Sequence, residues 1–114
     1  MRYLALIYDN EAAYAAWSEE ARVAEYQAYN NFGAEQAQFL GGGKALQPSN
    51  TATTVRVRDG KTLTTDGPFA ETKDQIGGYY LLNCKDLDEA IEVAAKIPSA
   101  THGAVEIRPV LEFD

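Results

Sequence analysis

Two side chains able to move a proton stand out by type and position. His102 is the single histidine, set in Ser99-Ala-Thr-His-Gly103, and an imidazole titrates close to neutrality. Asp66 precedes a Gly67-Pro68 turn. An aspartate there accepts local backbone N–H bonds or, at a strand end, acts as a base or ligand-orienting acceptor. Both residues flank strands, so Asp66 and His102 form the expected acid/base pair; a solvated or backbone-bonded role is the plainer reading of each. Phe69 walls a pocket or plugs the core. Glu25 and Gln36 fall near the centre of the apolar face of the first long helix, with Arg22 toward one margin. A buried carboxylate needs a partner, so Glu25 pairs with Arg22 at i, i+3 or lines a polar cavity. Tyr8, Tyr79 and Tyr80 carry hydroxyls that buried sites must satisfy, and Tyr8 at a strand end could orient a ligand, although core or interface packing is the plainer reading of all three.

Other chemistries lack their residues. One histidine, one cysteine and no spaced acidic triad make no metal set. Gly41-Gly42-Gly43 has no following Lys-Ser/Thr, so it is no phosphate loop and reads as a helix stop. No cofactor is expected. Cys84 has no cationic neighbours to make a thiolate, and a lone cysteine fits a reducing cytoplasm. The 114 residues, 46% hydrophobic and 24% charged, suit a single soluble domain spanning 1–114. A net charge of −7 argues against direct nucleic-acid binding. The start of the chain resembles no signal peptide, and no apolar run is long enough for a membrane span.

The elements that must position these groups follow from periodicity. Arg2–Tyr8 and Gly77–Asn83 are apolar on both alternating faces, the pattern of central strands. Asp9-Asn10-Glu11 reads as a polar turn. Ser18 caps a helix whose inner face holds Ala21, Ala28, Tyr29, Phe32, Phe39 and Leu40, ending at the glycine triplet. Lys44–Asn50 is expected to hold a short extended segment. Asp59-Gly60 joins Thr51–Arg58 to Lys61–Thr65 as a tight hairpin. Residues 66–76 form a turn and loop. Asp86 caps the next helix in a capping box with Glu89; Leu87, Ala90, Ile91 and Ala94 make its buried stripe, and Pro98 marks its end. The last strand covers Ala104–Phe113, and Pro109 puts it at an edge.

That order predicts an α+β fold: a ferredoxin-like split βαβ with an extra β-hairpin, an antiparallel sheet with two helices on one face. The helix-free face would expose Tyr, Leu and Val side chains. Burying 600 Å² of apolar area per chain is worth on the order of 15 kcal/mol before association costs. A homodimer packed sheet to sheet, a dimeric α/β barrel, is therefore expected.

Asp66-Gly-Pro-Phe-Ala-Glu-Thr-Lys73 followed by Gly77-Gly-Tyr-Tyr80 resembles the signature of the DGPF group of YCII-related proteins. Arg2–Tyr8, Ala45–Pro48, Thr53–Asp59 and Ile97–Pro109 agree with it, so the likeness covers nearly the whole chain. The resemblance implies the fold and dimer above. It also implies links in two directions: a dehydrochlorinase of chlorinated aromatic breakdown among the relatives, and association with sigma factors or other transcription proteins. The family's histidine on the first helix has no counterpart in Ser18–Leu40, and Ile97 stands where an acidic residue is usual. These departures incline the reading to a small-ligand-binding or protein-interaction module linked to transcription regulation. The alternative is a small cofactor-independent enzyme, a lyase or isomerase, using Asp66 and His102.

Overall fold

Alternating apolar residues build the centre of the molecule. In the computed structural model, which describes residues 1–113, β1 (Arg2–Asp9) places Tyr3, Ala5 and Ile7 on the buried face. It pairs antiparallel with β5 (Gln75–Asn83) on one side and β6 (Ala104–Pro109) on the other. β2 (Leu40–Ala45) completes the sheet in the order β2-β5-β1-β6. The two strands apolar on both faces are thus the central ones, and Pro109 lies on an edge strand, where its missing N–H leaves no gap in the ladder. Short helix α1 (Glu11–Ala15), long helix α2 (Glu19–Glu35) and α3 (Leu87–Ala94) join the strands. Phe32 of α2 and Ala90, Val93 and Ala94 of α3 bury against Tyr3, Ala5, Ile7 and Leu82 of the sheet. No helix among the described residues is long and apolar enough to cross a membrane.

The caps explain where the helices begin. Ser18 Oγ accepts from Ala21 N at 3.1 Å, and Asp86 Oδ1 accepts from Glu89 N at 2.9 Å. The Glu89 carboxylate turns back to Lys85 N, one residue short of the closing contact of a capping box. Asp9-Asn10-Glu11 is a junction: Asp9 ends β1, and Asn10 caps α1 through Ala13 N at 3.0 Å.

Three expectations need correction. Helix α2 ends at Glu35, not Leu40, and Gly41-Gly42-Gly43 lies inside β2. Phe39 and Leu40 fit a helical stripe and a strand start equally well, so periodicity could not separate them. The glycines serve the strand: Gly42 has φ +123°, and a Cβ on Gly43 would sit 2.5 Å from the Tyr79 carbonyl oxygen. The α3 face is also turned. Ala90, Val93, Ala94 and Ile97 are buried, whereas Leu87 and Ile91 are about half exposed. Both sets have helical spacing; the second pairs small alanines with Val93 and Ile97 for closer docking. Finally, β6 stops at Pro109; among the described residues after it, Val110 N donates to Arg2 O and Glu112 pairs with Arg2.

β3 (Thr53–Arg58) and β4 (Lys61–Asp66) form the expected hairpin, with Asp59 and Gly60 both at positive φ, 52° and 74°. It is a separate two-stranded sheet. The radius of gyration of 16.1 Å exceeds the ~13 Å of a compact chain of this length.

Candidate functional site

The chemistry collects where the C-terminal end of β1 meets the start of β6. Tyr8 pairs with Ala104 across these strands, so Asp9, the last residue of β1, and His102, two residues before β6, are brought side by side. His102 Nδ1 lies 2.9 Å from Asp9 Oδ1, and His102 Nε2 lies 3.1 Å from Glu25 Oε1 of α2. One imidazole thus bridges two carboxylates from different elements. Serving two carboxylate oxygens at once takes an N–H donor on each ring nitrogen. The three side chains are only 29%, 23% and 18% exposed for His102, Asp9 and Glu25, so their contacts are partly shielded from water. Trp17 stands edge-on to the imidazole at 4.8 Å, and Tyr14 packs on Trp17 at 4.9 Å.

Gly103 makes the approach possible. A Cβ there would collide with the Tyr8 carbonyl oxygen and lie 2.5 Å from Asp9 Oδ1. The His102-Gly103 pair is therefore a spatial requirement of the Asp9 contact.

These groups wall a cavity of about 890 Å³ bounded by the sheet, α1, α2 and the segment from β2 to Pro48. Its wall is mostly apolar, with Ile7, Ile76, Leu46 and five tyrosines beside Asp9, Glu25 and His102. A concave, largely apolar site with a few convergent polar groups is the usual form of a small-molecule site. Tyr29 Oη is 2.6 Å from Ser99 Oγ, and burial pushes the phenol up to about 12. Burial also raises Tyr80. Both therefore stay neutral and offer hydroxyls near neutral pH. Glu11 receives the Ser49 N–H at 2.9 and 3.0 Å, which fastens the far rim. Among the described residues no three His, Cys, Asp or Glu side chains converge as a metal site would require.

Of the residues expected from sequence, His102, Glu25 and Tyr80 come together here. Glu25 does not pair with Arg22, whose guanidinium instead donates to Ala15 O at 2.8 Å and lies over the Tyr14 ring. Within the chain Asp66 is not brought to His102. It ends β4 opposite Thr53, exposed, while both imidazole nitrogens face Asp9 and Glu25. Phe69 is 80% exposed and does not line the cavity. Tyr8 follows the opposite alternation from Ile7 and Asp9 and is likewise outside the lining. Asp9, Trp17, Tyr29 and Ser99 were missed. The one available signal was an acidic residue directly ending a central strand, which reads as a turn until the partner strand's register is known.

Comparison with known proteins places the chain as follows. Residues 1–114 match the YCII-related domain. An uncharacterized protein of Rhizobium meliloti (strain 1021) is 37% identical over 117 residues, covering 96% of this chain and 92% of that protein. Among solved structures, 5-chloro-2-hydroxyhydroquinone dehydrochlorinase from Burkholderia phenoliruptrix, in complex with 2,5-dihydroxybenzoquinone, superposes with a TM-score of 0.55 at 16% identity. The superposition covers 99% of this chain and 96% of that one.

Proposed function

This chain belongs to the YCII-related family, and on that premise we propose that it is a cofactor-independent acid/base catalyst of the lyase or isomerase type. The observation that carries the reading is His102 held between Asp9 and Glu25 at the wall of the cavity. Asp9 fixes the ring through Nδ1. The Glu25–Nε2 contact holds an exchangeable proton beside bound substrate, with a carboxylate to accept a proton and an imidazolium to return one. A substrate C–H or O–H proton passes to this unit, and the electron pair left behind expels a leaving group as its anion. In an isomerisation the pair is instead reprotonated at a neighbouring atom. The aromatic wall suits a planar substrate, and the dehydrochlorinase named above performs an elimination on the same fold, an analogy of fold and no more. The Asp66–Lys73 run supports placement in the DGPF group. A homodimer through the helix-free sheet face, where Leu4, Leu6, Leu81 and Tyr79 remain partly open, belongs to the same reading, as does a reducing cytoplasm for the buried Cys84 thiol.

The test uses 2,5-dihydroxybenzoquinone and a panel of chlorinated hydroquinones. Binding is read by calorimetry, ring-proton exchange in D₂O by NMR, and chloride release by ion chromatography. Wild type is expected to accelerate exchange or release by roughly 100-fold or more, with His102→Gln and Asp9→Asn losing most of it. Binding without turnover would instead mark a sensing module, the form a transcription-linked role would take. Unchanged turnover in His102→Gln would end the acid/base assignment.

A further inference from the structure

The β3–β4 hairpin leaves the body of the chain with nothing to pack on. Among the described residues β3 and β4 pair only with each other as strands, and the root is tied by Gly67 N to Ala52 O and by Thr54 Oγ1 to Gly67 O. On one face Val55 and Val57 stand opposite Thr64 and Thr62, and the two valines are 60% and 59% exposed. An isolated two-stranded hairpin is marginal in water and gains stability only by burying a face.

The surface area says how much cover is missing. The chain exposes 8116 Å², whereas a compact monomer of its mass exposes about 6,200 Å². The excess, about 1,900 Å² per chain and so about 3,800 Å² for a pair, falls within the range of obligate homodimer interfaces. Charge points the same way. Residues 53–66 carry Arg56, Arg58 and Lys61 against Asp59 and Asp66, a net +1, which leaves −8 on the remainder of the chain. The arm of one copy therefore meets an acidic body in another.

We propose that the β3–β4 hairpin is an exchange arm: in a homodimer each copy lays its Val55/Val57/Thr62/Thr64 face against the body of the other. The arm is joined to the body through residues 49–52 on one side and residues 67–74 on the other, and the chain on either side of these joints, Gln47 and Pro48 before and Ile76 and Gly77 after, lines the cavity rim. Clasping by the second copy therefore steadies the mouth of the site. The inference extends the sheet-to-sheet dimer of the preceding section by a contact that can fail independently of it.

The experiment is sedimentation equilibrium of wild type and the paired variant Val55→Lys/Val57→Lys, with hydrogen exchange of wild type at high and low concentration. Wild type is expected at twice the 12.5 kDa chain mass. Both lysines point outward in the single chain, so far-UV dichroism stays unchanged. Placing charges in an apolar contact should raise the dimer dissociation constant on the order of 100-fold or more. Amides of Thr53–Asp66 should be protected in the dimer and lose that protection on dilution. A wild-type dimer whose arm amides exchange freely, with a variant dissociation constant within about threefold of wild type, overturns the arm and leaves the sheet-to-sheet dimer standing. A wild-type monomer at micromolar concentration overturns both.

Discussion

Replacing Gly103 by alanine is a sharp probe of the Asp9–His102 contact. The added Cβ would lie 2.5 Å from Asp9 Oδ1, 3.2 Å from Asp9 Cγ, and against the Tyr8 carbonyl oxygen. A backbone carbonyl in a central strand cannot swing away, so β1 or the 102–104 segment must move by most of an ångström. Overpacking of this kind costs about 1–3 kcal/mol. Loss of the 2.9 Å His102–Asp9 contact adds to it, reduced because both side chains are partly open to water. A total of about 2–3 kcal/mol against an unfolding entropy of about 0.24 kcal/mol/K for a chain this long lowers Tm by roughly 8–12 °C. The assay is thermal unfolding at fixed protein concentration, with the ¹⁵N resonances of the His102 ring followed in parallel. Gly33→Ala is the control. Nothing lies within 4 Å of its added Cβ in the interior of α2, so it should gain about 0.5–1 kcal/mol and raise Tm by about 2–4 °C. If Gly103→Ala loses less than about 2 °C and the His102 resonances do not move, the close approach of β6 to β1 is wrong and the acid/base site falls with it.

Ile97 is fully buried, so Ile97→Ala should cost about 2–5 kcal/mol in chemical denaturation; a loss below about 1 kcal/mol would contradict its place in the core. The Tyr29 phenol, raised to about 12, should appear as a late component in a 295 nm titration and vanish in Tyr29→Phe. Its folded value lies above the ordinary 10, so its contribution to stability is complete below pH 10 and fades as pH rises through 12. A titration with every tyrosine ionised by pH 11 would refute its burial.

The site and fold were legible in the sequence to different depths. Hairpin residues Asp59-Gly60 and caps Ser18 and Asp86 are local devices whose physics spans four residues or fewer, and each appears as expected. The doubly apolar runs marked β1 and β5 as central, because only a strand covered by neighbours keeps apolar residues on both faces. Glu25 on the inner face of α2 was recognisable as a residue needing a partner, but not which partner. Arg22, three residues away, was the local candidate, and His102, 77 residues away, is the one the fold supplies.

The amino-acid order alone thus determined the class of fold, the central strands, the hairpin and the identity of the one imidazole. These depend on hydrophobic period and backbone preference, which act over short stretches of chain. Tertiary structure alone decided that Asp9, not Asp66, faces that imidazole within the chain, that the glycine triplet serves a strand, and that α3 buries Val93 in place of Leu87 and Ile91. Each of those choices is a competition between locally equivalent alternatives, and strand register and interhelical packing settle it over distances no sequence window spans.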